Sequence, residues 1–433
     1  MSKKGQRQRR RLQPIAPPSG QKPTMNLAPR DVDAMAEELV TYHEIFHDLF
    51  QRREQRQWSA FYLRGQLSDL ERKTVEPMVL ATHGPDAAAV RAGQQFLGQG
   101  AWEDTAILAR HQGLVAETLG EPDGVVIFDG SGFPKQGTHS VGVARQYCGA
   151  VGKVANCQHG VFAAYVSRKG YTFLDRRLYM PEMWFDKAHA ALRQRYGVPA
   201  DLTFQTEPQL ALEMLDGLVE RAAVPFAWVV ADEHYGMIPS FLDGVEARQK
   251  WYFAEVPTST KVWVGAPKVE TPSPGALGRP RQHPRLADGE AKAQELAQVA
   301  AALPAGAWQR HTIKEGSKGP IESRFALVRV TRARRGRPGA PAWAVFRRST
   351  DETKALKVFL SNAPETCAPE ALVRVSGLRW PVETAIEEAK GELGMDHYET
   401  RTWRGWHHHM TQTFLAHHFL IRMRLNVKKK RLP

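Results

Sequence analysis

VVIFDG (residues 125–130) and FAWVVAD (residues 226–232) are two apolar runs that each end at or beside an aspartate, Asp129 and Asp232. Short continuous apolar runs bounded by turn residues read as buried strands, so each acid stands where a core strand emerges. A third acid, Glu383, lies inside LRWPVETAIEEAKGELG (residues 378–394). That segment reads as a helix with Pro381 at its first helical position, where a missing N–H does no harm. Val382, Ile386, Ala389 and Leu393 fall at i, i+4, i+7 and i+11 and form one apolar stripe that can hold the helix on a sheet. Glu383 and Lys390 share a neighbouring face. Two acids closing strands and a third on a helix can meet at one point. Oxygen ligands suit hard cations such as Mg2+, and a pair of ions about 4 Å apart clamps the attacking and leaving oxygens of a phosphoryl transfer. Phosphodiester chemistry is the first expectation.

Around these runs the pattern is that of an α/β fold. HSVGVARQYCG (139–149), NCQHGVFAAYVS (156–167) and YTFLDRRLYM (171–180) read as strands between Gly-rich turns. A helix at EPQLALEMLDGLVERAA (207–223), a helix through IPSFLDGVEAR (238–248) and a strand at WYFAEV (251–256) follow. The order predicts a mixed sheet with flanking helices. Expected divisions are a disordered basic tail (1–25), a helical N-terminal domain (26–118), a core in two parts (119–256 and 351–403), a basic β-rich insertion (257–350) and a C-terminal helix with a basic end (404–433). In the insertion, ESRFALVRVTRAR (322–334) and PAWAVFRR (341–348) alternate as amphipathic strands, and ADGEAKAQELAQVAAAL (287–303) reads as one helix.

Composition narrows the functional classes. The 433 residues carry a net charge of +13, with seven Lys or Arg and no acid in residues 1–25, and 17 against six in residues 257–350. Basic charge concentrated in two segments suits a polyanion, because each neutralised phosphate releases condensed counterions. A solubilising tail explains residues 1–25 equally well. Three scattered cysteines, Cys148, Cys157 and Cys367, exclude a disulfide framework and a thiolate zinc site. No apolar run has the length of a signal peptide or membrane span, so a cytoplasmic protein, nucleoid-associated when bound to DNA, is expected. DGSGFPKQG (129–137) has no following GK[ST] and is not a nucleotide-binding P-loop.

The stretch from Arg379 to Lys390 spaces Arg, three residues, Glu, six residues, Lys. This resembles the tyrosine, arginine, glutamate, lysine signature of bacterial insertion-sequence transposases of the DDE superfamily, in the branch with a β-strand insertion. DGSGFPKQGTHSVGVARQYCGAVGKVANCQ, QTEPQLAL, VPFAWVVADEHYG, EGSKGPIESRFALVRV and LGMDHYETRTWRGWHHH are similar to consecutive blocks of one such group. The resemblance implies a ribonuclease H-like core in which Asp129, Asp232 and Glu383 are catalytic and bind two Mg2+ ions, with Mn2+ able to substitute. It implies cleavage at element ends and strand transfer into target DNA, so the partners would be double-stranded terminal inverted repeats and target DNA, bound by a homodimer. Arg379 and Lys390 would contact phosphates near the cleaved bond, and Lys135, Arg332, Arg334, Arg335 and Arg337 are further candidate DNA contacts. Two positions depart from the pattern: Ser376 occupies the tyrosine place, and Gly130 stands where a second acid commonly follows the first Asp. A DNA-binding protein without catalysis and a nuclease without strand transfer are the alternatives.

Glu387 and Glu388 flank the third acid, but Glu383 alone stands four after an Arg and seven before a Lys. His407, His408, His409, His417 and His418 lack partners at zinc-like spacing and read as surface or DNA-facing residues of an amphipathic helix. Trp263, Trp308 and Trp343 could stack on an unpaired base or lie in the core, and the sequence does not choose.

Overall fold

The computed structural model describes residues 29–270, 285–316, 319–350 and 355–431. The expectation for residues 1–25 lies outside them. Five helices come first: α1 (Pro29–Glu44), α2 (Arg53–Leu67), α3 (Val75–His83), α4 (Ala87–Gly98) and α5 (Asp104–Leu119). Four strands follow, β1 (Val125–Pro134), β2 (Ala144–Cys148), β3 (Lys153–Val166) and β4 (Tyr171–Tyr179), then α6 (Ala190–Arg195) and α7 (Glu207–Arg221). β5 (Trp228–Ala231) leads into α8 (Glu233–Gly236), α9 (Pro239–Ala247) and β6 (Trp251–Glu255).

β1 pairs antiparallel with β3, β3 with β4, and β1 parallel with β5, which is parallel to β6. The resulting order β4-β3-β1-β5-β6, three antiparallel strands joined to two parallel ones with helices on both faces, is the arrangement of a ribonuclease H-like core. Alternate residues of β1 face opposite layers, as strand geometry requires. Val126 and Phe128 pack with Leu210, Met214 and Leu218 of α7 and Phe241 and Val245 of α9. Val125 and Ile127 pack on the other side with Val382, Ala385, Ile386 and Ala389.

Most of the stretch after residue 256 extends the core sheet. β7 (Lys261–Val264), the short β8 (Val269–Glu270), β9 (Arg285–Leu286) and β10 (Gln294–Glu295), then α10 (Leu296–Ala302), β11 (Gln309–Gly316), β12 (Gly319–Arg334), β13 (Arg337–Ser349) and β14 (Lys357–Ser361) complete the strands. β14 lies between β6 and β13, so all of these strands except β8 and β9, which pair apart from it, extend the core into one 12-stranded sheet. The long helix expected over 287–303 shrinks to seven residues, because Gln294 and Glu295 are taken up in pairing with Val262 and Lys261. The strand expected over 139–149 is likewise confined to β2.

α11 (Pro369–Ser376), α12 (Trp380–Leu393) and α13 (Trp403–Arg431) end the chain. α13 runs between the N-terminal helices and the sheet, with Phe414 stacked on Phe173 and Leu415 and Phe419 in the core with Tyr42, Phe46 and Met78. The surface placement expected for its histidines is therefore wrong: His408, His409, His417 and His418 are buried. Each finds a local partner: His409 Nδ1 meets the Tyr62 hydroxyl at 2.8 Å, His418 Nδ1 meets that of Tyr42 at 3.0 Å, and His417 Nδ1 meets that of Thr172 at 3.0 Å. His408 spans the carbonyls of Leu97 and Trp102. Among the described residues no helix is long and apolar enough to cross a membrane.

Candidate active site

The parallel pairing of β1 with β5 sets Val125 against Trp228, Val126 against Val229 and Ile127 against Val230. Two residues further along each strand stand Asp129 and Asp232, in matching register and on the face that Ile127 and Val230 share. Neighbouring strands lie about 4.8 Å apart, so the two carboxylates emerge side by side at the same end of the sheet. Asp129 accepts the Gly130 N–H at 2.8 Å, and Asp232 caps α8 by accepting the Tyr235 N–H at 3.3 Å. α12 crosses this same face on its buried Val382, Ala385, Ile386 and Ala389, and Glu383 in its first turn stands near enough for its charge to act on Asp129. Burial first, and then the negative charges of Asp232 and Glu383, push the Asp129 carboxyl up to about 7, against the opposing Gly130 N–H and Arg379.

Glu383 is half-exposed and pairs with Arg379 at 2.8 Å. Glu387 is exposed, and Glu388 pairs with Arg424 at 2.8 Å and His417 at 3.5 Å. Lys390 donates to the Gly132 carbonyl at 3.0 Å with its ammonium over the Phe133 ring, and burial lowers its pKa. Lys135 donates to the Tyr398 carbonyl at 3.2 Å and rests on that ring, and burial pushes it down to about 8. Ser376, in the tyrosine place, is buried and donates to the Val373 carbonyl. A cavity of about 410 Å³ opens beside Glu383 and Arg379, walled by Phe253, Phe359, Trp380 and Arg347.

The four insertion arginines divide. Arg332 is 5% exposed, bound to Glu246 at 2.8 Å and Asp243 at 3.4 Å, and Arg334 binds Asp243 and the Pro239 carbonyl. Expected as DNA contacts, these two instead clamp β12 to α9 by meeting the carboxylates of Asp243 and Glu246. Arg335 and Arg337 are exposed on the β12–β13 turn, where Arg335 and Gly336 both have positive φ. Trp263 is buried, with its indole N–H on the Ala291 carbonyl. Arg348 lies over Trp308 and Arg329 over Trp343.

Sequence reasoning missed a second polar cluster on the opposite face of β1. Glu207, opening α7, has its carboxylate 3.4 Å from His159 Nε2 and 4.0 Å from His234 Nε2. Burial raises its carboxyl, and the two imidazoles more than offset this. A Cβ on Gly130 would stand 2.4 Å from His159 Nε2 and 3.1 Å from the Glu207 carboxylate, so glycine leaves the room that this pair occupies. The QTEPQLAL block held the signal, an acid at a helix start.

Clustered carboxylates whose charges oppose one another, one of them raised to about 7, fit a hard divalent cation in charge and in donor type. Among the described residues no three His, Cys, Asp or Glu side chains stand close enough to hold an ion as they are. Glu383 is turned to Arg379 and would have to release it.

No curated protein matches the chain. A family model described as DDE superfamily endonuclease matches residues 45–320, which include Asp129 and Asp232 and end before Glu383. With that match over more than half its length and a ribonuclease H-like core beneath it, the chain belongs to the DDE superfamily endonuclease family.

Proposed function

We propose that the chain is a DNA transposase of the insertion-sequence type, cutting DNA at element ends and joining the freed end to target DNA. The observation that carries this reading is the matching register of Asp129 and Asp232, with the charge of Glu383 bearing on Asp129. Asp129 and Asp232 would hold Mg2+, with Glu383 completing the ligand set. When bound, the ions neutralise phosphoryl charge and activate the attacking oxygen. A phosphate arriving at α12 competes for Arg379 and so frees Glu383 to turn to the aspartates. Lys390 and Lys135 lie further along β1, engaged with the Gly132 and Tyr398 carbonyls, and would meet the DNA backbone some steps from the cleaved phosphate. Phosphoryl transfer needs alignment and charge neutralisation more than covalent help, and this set of side chains supplies both.

Water attacks the phosphorus at the element end and leaves a 3′ hydroxyl. That hydroxyl then attacks a target phosphodiester and displaces the target's own 3′ oxygen. Two copies acting together would bring two ends to one target. The test is to incubate the protein with Mg2+, an element-end duplex and a target plasmid, and to look for joined product. Joined product is expected. Cleavage without joining would make the chain a nuclease, and binding alone would make it a DNA-binding protein without catalysis.

A further inference from the structure

The hairpin of β2 and β3 carries an exposed apolar patch beside the catalytic strand. Tyr147 and Val154 are cross-strand partners, 65% and 53% exposed, and Val151 at the tip is 43% exposed. A monomeric protein gains nothing from an aromatic and two valines held together in water. Arg145 and Lys153, on the same hairpin, are exposed and make no ion pair among the described residues. The surrounding sequence is one-signed: between Asp129 and Asp175 there is no Asp or Glu. Nothing in that stretch repels a polyanion.

The hairpin is anchored next to the candidate centre. Gly132 lets Cys148 approach so closely that a Cβ there would stand 2.6 Å from the Cys148 sulfur. The Gly132 carbonyl also receives Lys390. Gly132 is three residues beyond Asp129, a rise of about 10 Å along a strand. Duplex DNA spaces its phosphates at about 3.4 Å per strand, so the hairpin root stands about three base steps from a phosphate held at Asp129.

Resting on the reading of this chain as a DNA-cutting enzyme, we propose that the 144–154 hairpin is a DNA wedge: Arg145 and Lys153 grip the backbone while Tyr147, Val151 and Val154 press into the duplex beside the cleaved phosphate. Apolar side chains inserted between base steps unstack and kink DNA, and a bent duplex can bring its backbone down onto a recessed site. Asp129 and Asp232 are only partly exposed, so a kink that turns the backbone toward the end of β1 and β5 brings the phosphate closer to them.

The test uses the full chain and a duplex carrying 2-aminopurine two to four steps from the mapped cleavage site. Wild type should raise its fluorescence on binding. Tyr147→Ser with Val151→Ser and Val154→Ser should melt as wild type does, lose the rise and cut at least tenfold more slowly. A duplex already unpaired at those steps should restore cutting. Arg145→Gln with Lys153→Gln should lower the slope of log K against log salt by about 1.8, two phosphates at about 0.9 each. A serine variant with normal fluorescence and rate would overturn the wedge while leaving the DNA-cutting reading intact. So would a variant that keeps the fluorescence rise and instead loses a dimer by light scattering, since the patch would then join two copies. If wild type neither binds nor cuts duplex DNA, the reading beneath the proposal fails, and the proposal with it.

Discussion

Asp129 and Asp232 stand at equivalent positions of two parallel strands, each two residues past the paired Ile127 and Val230. Glu383 reaches the same end from α12, and its neighbours on that helix point elsewhere. Glu387→Gln should therefore leave cleavage within a few fold, and Glu388→Gln should lower stability rather than chemistry because it breaks the pairing with Arg424 and His417. Cleavage rates beside melting curves check this. Loss of cleavage in Glu387→Gln with Glu383→Gln still active would move the site by one helical turn.

Gly130 gives a second prediction. Gly130→Ala places a methyl against His159 and Glu207 and should cost about 1–3 kcal/mol, the usual range for overpacking. His159→Ala added to it should recover part of that loss, because the clash is chiefly with the imidazole. Thermal unfolding of the two single variants and the double one is the measurement, and strict additivity would contradict the geometry.

The apolar runs were legible because continuous hydrophobicity ending in an acid depends only on local sequence, and the α12 stripe was legible for the same reason. The fate of α13 was not. TQTFLAHHFLIRMRL shows polar residues that suggest a wet face, yet Thr172 and Tyr42, which satisfy its His417 and His418, lie 245 and 376 residues away. Likewise nothing near Arg332 marks it as buried, since its partners Asp243 and Glu246 come from a helix across the sheet. The tertiary pairing that shortened α10 is invisible to helix propensity.

Those buried histidines predict acid sensitivity. Burial, in each case the leading cause, lowers His408 to about 4 and His409 to about 3, and it lowers the buried His111 of α5, which meets the Phe173 carbonyl, to about 4 as well. Unfolded imidazoles titrate near 6.5, so below that value the unfolded chain binds protons that the folded one refuses. Stability is complete above about pH 6.5 and is lost as pH falls toward 4, each histidine removing about 1.4 kcal/mol per pH unit. Melting temperatures from pH 7.5 to 4.5 should fall steeply, and a flat profile would show these rings to be hydrated.

Arg332 and Arg335 separate folding from binding. Arg332→Gln removes the cation between Asp243 and Glu246 and should destabilise by about 1–3 kcal/mol, less than for a fully buried pair because those carboxylates are partly exposed. Arg335→Gln with Arg337→Gln should leave the melting point unchanged and lower the salt slope of DNA binding by about 0.9 for each phosphate no longer neutralised. An unchanged slope would make that turn a solvated surface.

The most direct test compares cleavage of an end duplex in Mg2+ by wild type and by Asp129→Asn, Asp232→Asn and Glu383→Gln, each shown to bind the duplex within a few fold of wild type. Mg2+ or Mn2+ should support wild-type cutting and Ca2+ should not, since Ca2+ prefers longer bonds and higher coordination. Each of the three substitutions should abolish it. Cutting that survives any one of them, or that continues in EDTA, would contradict a metal centre built on these three carboxylates.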